Sequence, residues 1–235
     1  MICPLNVYIL TSGDSAGGNL AAAVALRLSE EDKSSQLPQL KFQVLVYPAV
    51  QMFDFNTPSY KNFTTTAWLT QELMIHMWLS YLGFPELQRQ SAEFAANNHT
   101  SRLLKKSEYG SYLKPDNLPE DVRVQDAKPM EVTEGNDTLS AKIEPIVLDP
   151  YFAPLMAPDL SKVPAAYFIL AQNDVLRDDG LLYAERLRKA GVKTVVDFHK
   201  TMSHGFFTIS PVRALTFKAS LQAVDTLAEY VKENL

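Results

Sequence analysis

The chain has 235 residues, 46% of them hydrophobic and 21% charged, with a formal net charge of -5. That is the composition of a chain able to bury a full core, and it excludes the disordered and fibrous classes. Negative charge without any Lys/Arg run argues against a nucleic-acid or anionic-membrane partner and for a small-molecule or lipid substrate.

The one cysteine, Cys3, excludes an intrachain disulfide and any cysteine-based metal set. The longest apolar runs, residues 20–26 and 165–171, fall far short of the roughly 20 residues a bilayer-spanning helix needs. Met1-Ile2-Cys3-Pro4-Leu5-Asn6 lacks the basic and apolar stretches of a signal peptide, so the chain is expected to begin in mid-domain, without an anchor.

Residues 7–12 are apolar and partly β-branched and stop at Gly13, which predicts a buried strand. Residues 16–28 are small and apolar around most of the circumference, which predicts a buried helix. A second strand is expected at 42–47 before Pro48, a third at 166–171 before Gln172-Asn173-Asp174, and a fourth at 193–198. Asp178 and Asp179 open a helical stretch that stops at Gly191. The last helix, about 215–234, places Phe217, Leu221, Val224, Ala228 and Val231 at alternating steps of four and three on one face. Strands alternating with helices predict a mostly parallel sheet covered on both faces.

Between the second and third strands lies a long insertion, residues 51–163. It carries a predicted helix at 70–82, ended by Gly83 and Pro85 and rich in apolar residues, with a stripe at Leu73, Met77 and Tyr81. Residues 100–163 are charged and broken by prolines, so irregular loops are expected there. The chain thus divides into a core start (1–50), an insertion (51–163) and a core end (164–235), all within one domain.

Gly13-Asp14-Ser15-Ala16-Gly17 is a G-x-S-x-G nucleophile elbow between a strand and a helix. Small residues two before and two after the serine let strand and helix approach, and the Ala16 N–H at the helix start can serve an oxyanion. A serine hydroxyl needs a base held by a third group, and Asp174 and His204 follow at later strand exits. The order Ser, Asp, His is that of α/β-hydrolases. His199 is the rival base, whereas His76 and His99 are read as ordinary surface or insertion residues.

Gly13-Asp14-Ser15-Ala16-Gly17-Gly18-Asn19-Leu20, Asp174-Val175-Leu176-Arg177-Asp178-Asp179-Gly180 and His204-Gly205-Phe206 resemble the arylacetamide deacetylase branch of the hormone-sensitive-lipase group. The resemblance implies an α/β-hydrolase fold with Ser15 as nucleophile, Asp174 as acid, His204 as base and residues 51–163 as a lid. It implies no cofactor and no metal, and uncharged acetyl, arylacetamide or lipid esters as substrates. It also implies a location on the lumenal side of the endoplasmic reticulum, with a membrane anchor in the full-length protein. The family's upstream His-Gly-Gly-Gly loop and first strands have no counterpart here. The expectation is therefore the C-terminal portion of a longer enzyme, weakly active or inactive alone.

Three N-x-S/T sequons, at Asn62, Asn98 and Asn136, agree with a lumenal protein. The alternatives left open are a non-catalytic binding protein on a hydrolase scaffold and a peptidase of the same fold.

Overall fold

The computed structural model describes residues 8–31, 39–63, 68–123, 133–209 and 217–235. Cys3, the expected strand start at Val7, Thr64 of the first sequon and the expected helix start at Leu215 lie outside the described residues. Strand β1 (Ile9–Asp14) leads through Ser15 into helix α1 (Ala16–Glu30), and β2 (Leu40–Val46), β3 (Ala165–Asn173) and β4 (Thr194–Ser203) follow along the chain. All strand pairings are parallel, in the order β1-β2-β3-β4.

Side chains of the two central strands alternate between two cores. Leu45, Phe168 and Leu170 pack with Ala22 and Leu26 of α1 and with Leu182 and Leu187 of a helix that we label α9 (Arg177–Lys189) below. Phe42, Val44, Val46, Tyr167 and Ile169 face a smaller core closed by Ala223 and Tyr230 of the C-terminal helix, Lys218–Asn234. Burial on both faces is why β2 and β3 read as continuous apolar runs.

The segment between β2 and β3 carries α2 (Pro58–Asn62), α3 (Gln71–Leu82), α4 (Pro85–Gln88), α5 (Ser91–Ala95), α6 (Arg102–Lys105), α7 (Glu108–Tyr112) and α8 (Asp137–Val147). Beyond it come α9 and the C-terminal helix, α10. Helix α3 starts where Thr70 Oγ1 accepts from Leu73 N at 3.2 Å and ends at Gly83 with φ 70°. Helix α8 corrects the expectation of irregular loops: Asn136 Oδ1 caps it from Leu139 N at 3.0 Å, and Leu139, Ile143 and Val147 are buried. Pro145 near its C-terminal end hid it, because a single proline outweighs propensity in a sequence reading but not in a packed helix.

Two further expectations change. Helix α1 is buried along Ala22, Ala25 and Leu26 but leaves Leu20 and Val24 exposed, so it is half covered rather than buried all round. Helix α10 turns Ser220, Ala223, Leu227 and Tyr230 toward the sheet together with Val231 of the expected row, while Phe217, Leu221 and Val224 of that row are exposed.

Candidate active site

The turn from β1 into α1 is tight. Ser15 adopts φ 55° and ψ -118°, a conformation that costs a residue with a Cβ and holds the side chain above the sheet. Its N–H donates to Val46 O at 2.9 Å, and its carbonyl accepts from Asn19 N at 3.1 Å and Ala49 N at 3.3 Å. A Cβ on Gly13 would lie 2.1 Å from Gly17 O, and one on Gly18 would lie 2.8 Å from Pro48 Cβ. Gly17 is different: its nearest neighbour would be Asp14 Oδ1 at 3.9 Å, so close packing depends on Gly13 and Gly18. The Asn19 amide fastens the helix to Ala49 O at 2.7 Å and Phe152 O at 2.9 Å. Ala16 opens α1, where helical N–H groups have no intrahelical acceptor and the dipole is positive.

Asp174, fully buried, follows β3, and its Oδ1 accepts from Leu176 N at 2.9 Å. His204 follows β4, in a turn whose next residue, Gly205, has φ 81°. Its Nδ1 lies 2.8 Å from Asp174 Oδ2 and its Nε2 lies 3.1 Å from Ser15 Oγ. The structure therefore brings Ser15, His204 and Asp174 into one hydrogen-bonded line. Such a line can carry the serine proton to the imidazole while the carboxylate holds the ring.

The rival groups lie elsewhere. His199 pairs with Asp197 at 3.2 Å on β4. Asp178 and Asp179 stand in the first turn of α9, as expected, but both are buried. Arg177 meets Asp178 at 2.7 Å, and Ser59 N donates to the same carboxylate at 2.7 Å. Asp179 accepts from Gln51 Nε2 at 2.9 Å, and burial, with Asp178 and Asp174 nearby, pushes its carboxyl well above the ordinary range. His99 is no surface residue: it is fully buried, stacked on Phe94, with Nε2 3.0 Å from Met52 O. Burial lowers its pKa to about 3, so it is neutral.

Beside Ser15 a cavity of about 110 Å³ is lined by Ala16, Asn19, Leu20, Met74, Met77, Trp78 and Tyr81. Of the predicted stripe, Met77 and Tyr81 face this cavity and Leu73 does not. Among the described residues, no cluster of three or more His, Cys, Asp or Glu could hold a metal, and no helix is long and apolar enough to cross a membrane. Of the sequons, Asn62 is exposed at the end of α2, Asn98 precedes the buried His99 and Thr100, and Asn136 caps α8.

A family model described as the alpha/beta hydrolase fold matches residues 6–107 and 119–208. The chain belongs to the α/β-hydrolase family. Among α/β-hydrolases it is 34% identical over 231 residues to neutral cholesterol ester hydrolase 1 of Bos taurus, covering 95% of this chain and 54% of that protein. It is 36% identical over 230 residues to arylacetamide deacetylase of Bos taurus, with the same shares, 95% and 54%. The chain thus spans about half the length of the curated relatives it matches. Among solved structures, an esterase of the archaeon Pyrobaculum calidifontis superposes with TM-score 0.58 at 28% identity, over 94% of this chain and 50% of that one. The carboxylesterase EstE1, cloned from a metagenomic library, gives 0.61 at 27%, over 95% and 54%.

Sequence reasoning passed over Tyr47, whose ring lies against His204, and Thr208, which bonds Tyr47, as well as Gln51 and Ser59, which hold Asp179 and Asp178 behind the site. Only Tyr47-Pro48 at a strand exit carried a signal, since strand exits of a parallel sheet are where α/β proteins place their sites.

Proposed function

We propose that the protein is a serine carboxylic ester hydrolase in which Ser15 is the nucleophile, His204 the general base and Asp174 the group that orients it. The observation that carries this reading is the unbroken line from Asp174 Oδ2 through His204 to Ser15 Oγ, at 2.8 and 3.1 Å, ending on a strained elbow. His204 Nε2 takes the Ser15 proton as Oγ bonds to the ester carbonyl carbon, and the carbonyl electrons move to oxygen beside the Ala16 N–H. When that intermediate collapses, the bond to the alcohol oxygen breaks and His204 returns the proton to the leaving group. Water, deprotonated by His204, then attacks the acyl-enzyme, and the acid departs as Ser15 regains its proton. No cofactor takes part.

The cavity walls of Leu20, Met74, Met77, Trp78 and Tyr81 support an uncharged, apolar group beside Ser15. Acetyl esters, arylacetamides and neutral lipid esters are the substrate classes, in keeping with the names of the two bovine relatives. Residues 51–163 act as the lid over this pocket. The exposed Asn62 supports glycosylation and hence a lumenal location in the endoplasmic reticulum; a membrane anchor in the full-length protein rests on the family resemblance alone.

In the full-length context, Ser15→Ala should abolish p-nitrophenyl acetate hydrolysis and labelling by a fluorophosphonate probe while leaving the melting transition in place. Turnover within tenfold of the unaltered chain would assign the nucleophile elsewhere.

A further inference from the structure

Asp174 fixes only one nitrogen of His204, so the imidazole could still tilt about that bond and carry Nε2 away from Ser15. The side chains behind the ring decide whether it does. Tyr47 is the first residue past β2, buried, with φ 34°, strained for a residue with a bulky side chain. Its N–H extends the sheet ladder to Ile169 O at 2.8 Å, next to the point where Ser15 N meets Val46 O. This wedges Tyr47 between the elbow and β3, with its ring centroid 4.5 Å from that of His204.

The hydroxyl of Tyr47 bonds Thr208 Oγ1 and accepts from Thr208 N at 3.2 Å. Thr208 Oγ1 in turn lies 3.3 Å from Asp14 Oδ2. The Thr208 hydroxyl has one proton, which it gives to Asp14 Oδ2 or, at 3.4 Å, to Gly205 O, and this leaves Tyr47 to donate to Thr208. These bonds touch no reacting atom. They tie the turn that carries His204 to the residue immediately before Ser15.

We infer that Tyr47, Thr208 and Asp14 form a positioning relay that holds His204 against Ser15, with Thr208 as its joint. The inference rests on the triad reading above. Tyr47 walls one side of the imidazole, and the Thr208 to Asp14 bond sets how far the histidine turn stands from the elbow. The line through Asp174, His204 and Ser15 carries the proton, while the relay fixes the distance over which it is carried.

The decisive variant is Thr208→Val, which keeps the shape and removes the hydroxyl. A small misplacement of the base lowers the chemical step, so kcat on p-nitrophenyl acetate should fall on the order of tenfold with KM unchanged. The low-field proton resonance of His204 Nδ1–H should broaden, and Thr208→Ser should restore both readouts. Tyr47→Phe keeps the ring and should give the same signature, and the double variant should be no worse than either single one. A sharp resonance and full kcat in Thr208→Val, or additive losses in the double variant, would overturn the relay. The resonance reads the histidine geometry with or without turnover. A chain that fails the Ser15→Ala test therefore sinks the hydrolase reading and still leaves the relay open to this measurement.

Discussion

Three buried aspartates share the turn and first helical residues after β3, and their partners give them different tasks. Asp174 meets His204, Asp178 pairs with Arg177 and accepts from Ser59 N, and Asp179 accepts from Gln51 while burial holds it toward its neutral form. Asp174→Asn should therefore lower kcat by roughly 10³ to 10⁴ through the wrong imidazole tautomer. Asp178→Asn instead weakens a buried pair, and breaking such a pair costs about 3 to 5 kcal/mol, so its effect should be read in the melting temperature. If the Asp178 variant melts normally but loses turnover while the Asp174 variant keeps it, the acid assignment is wrong. The candidate acid and base were legible because the chemistry demands such groups at strand exits in a set order; burial was not, so neither the buried pairings of Asp178 and Asp179 nor the burial of His99 within the insertion was foreseen. With its pKa lowered to about 3 in the fold, His99 stays neutral where an unfolded chain would protonate it. Stability from this group is complete above pH ~6.5 and is lost as pH falls toward about 3, at up to roughly 1.4 kcal/mol per unit. Asp179 has the opposite sign, since its raised carboxyl favours the fold as pH drops, so the wild-type slope alone does not isolate the histidine. His99→Leu removes the group, and the gap in melting temperature between it and wild type should narrow between about pH 7 and pH 4. A gap independent of pH would mean that His99 is not buried neutral.

At the scale of elements, the elbow was readable as a motif, whereas which glycines it needs was a matter of packing. Gly13 faces the Gly17 carbonyl and Gly18 faces Pro48, so alanine at either position must push strand and helix apart. Gly17 has room. Gly13→Ala and Gly18→Ala should therefore lose labelling of Ser15 and melt earlier, and Gly17→Ala should keep both; equal losses at all three would show that the motif is needed for another reason. Helix α10 shows where periodicity misleads. Rows beginning at Phe217 and at Ser220 both fit a helical stripe, and hydropathy favours the first. The second is buried because Ser220 and Ala223 are small enough to lie against the sheet, and Ser220 Oγ bonds Phe206 O at 2.8 Å, which satisfies the buried hydroxyl. The same reasoning applies to the cavity wall on α3. Met77→Glu should lower kcat/KM most for apolar acyl esters, and a general preference of the unaltered chain for anionic esters would remove the pocket from the argument.

At the scale of the molecule, the alternation of strands and helices was enough to predict a parallel sheet, but not which surfaces it would leave bare. Among the described residues β1 is an edge of the sheet, and Tyr8, Ile9 and Leu10 are 44%, 36% and 36% exposed. Next to it, α1 shows Leu20 and Val24, 53% and 45% exposed. An apolar strand edge with unpaired N–H and C=O groups beside an apolar helix face is a template for a further strand. The chain as given, at 235 residues, should therefore self-associate as its concentration rises through the micromolar range. Sedimentation velocity across a dilution series measures this directly. Leu10→Lys places a charge on the edge strand and Leu20→Glu places one on the helix face, and together they should shift the distribution toward monomer without lowering the melting temperature. Because Leu20 also lines the cavity beside Ser15, the Leu10→Lys variant alone is the one to compare in turnover. A monomeric, cooperatively melting wild-type chain at every concentration would show that this edge is covered by groups outside the described residues. Self-association that persists in the double variant would place the contact on another face, of which the exposed row of Phe217, Leu221 and Val224 on α10 is the next to test.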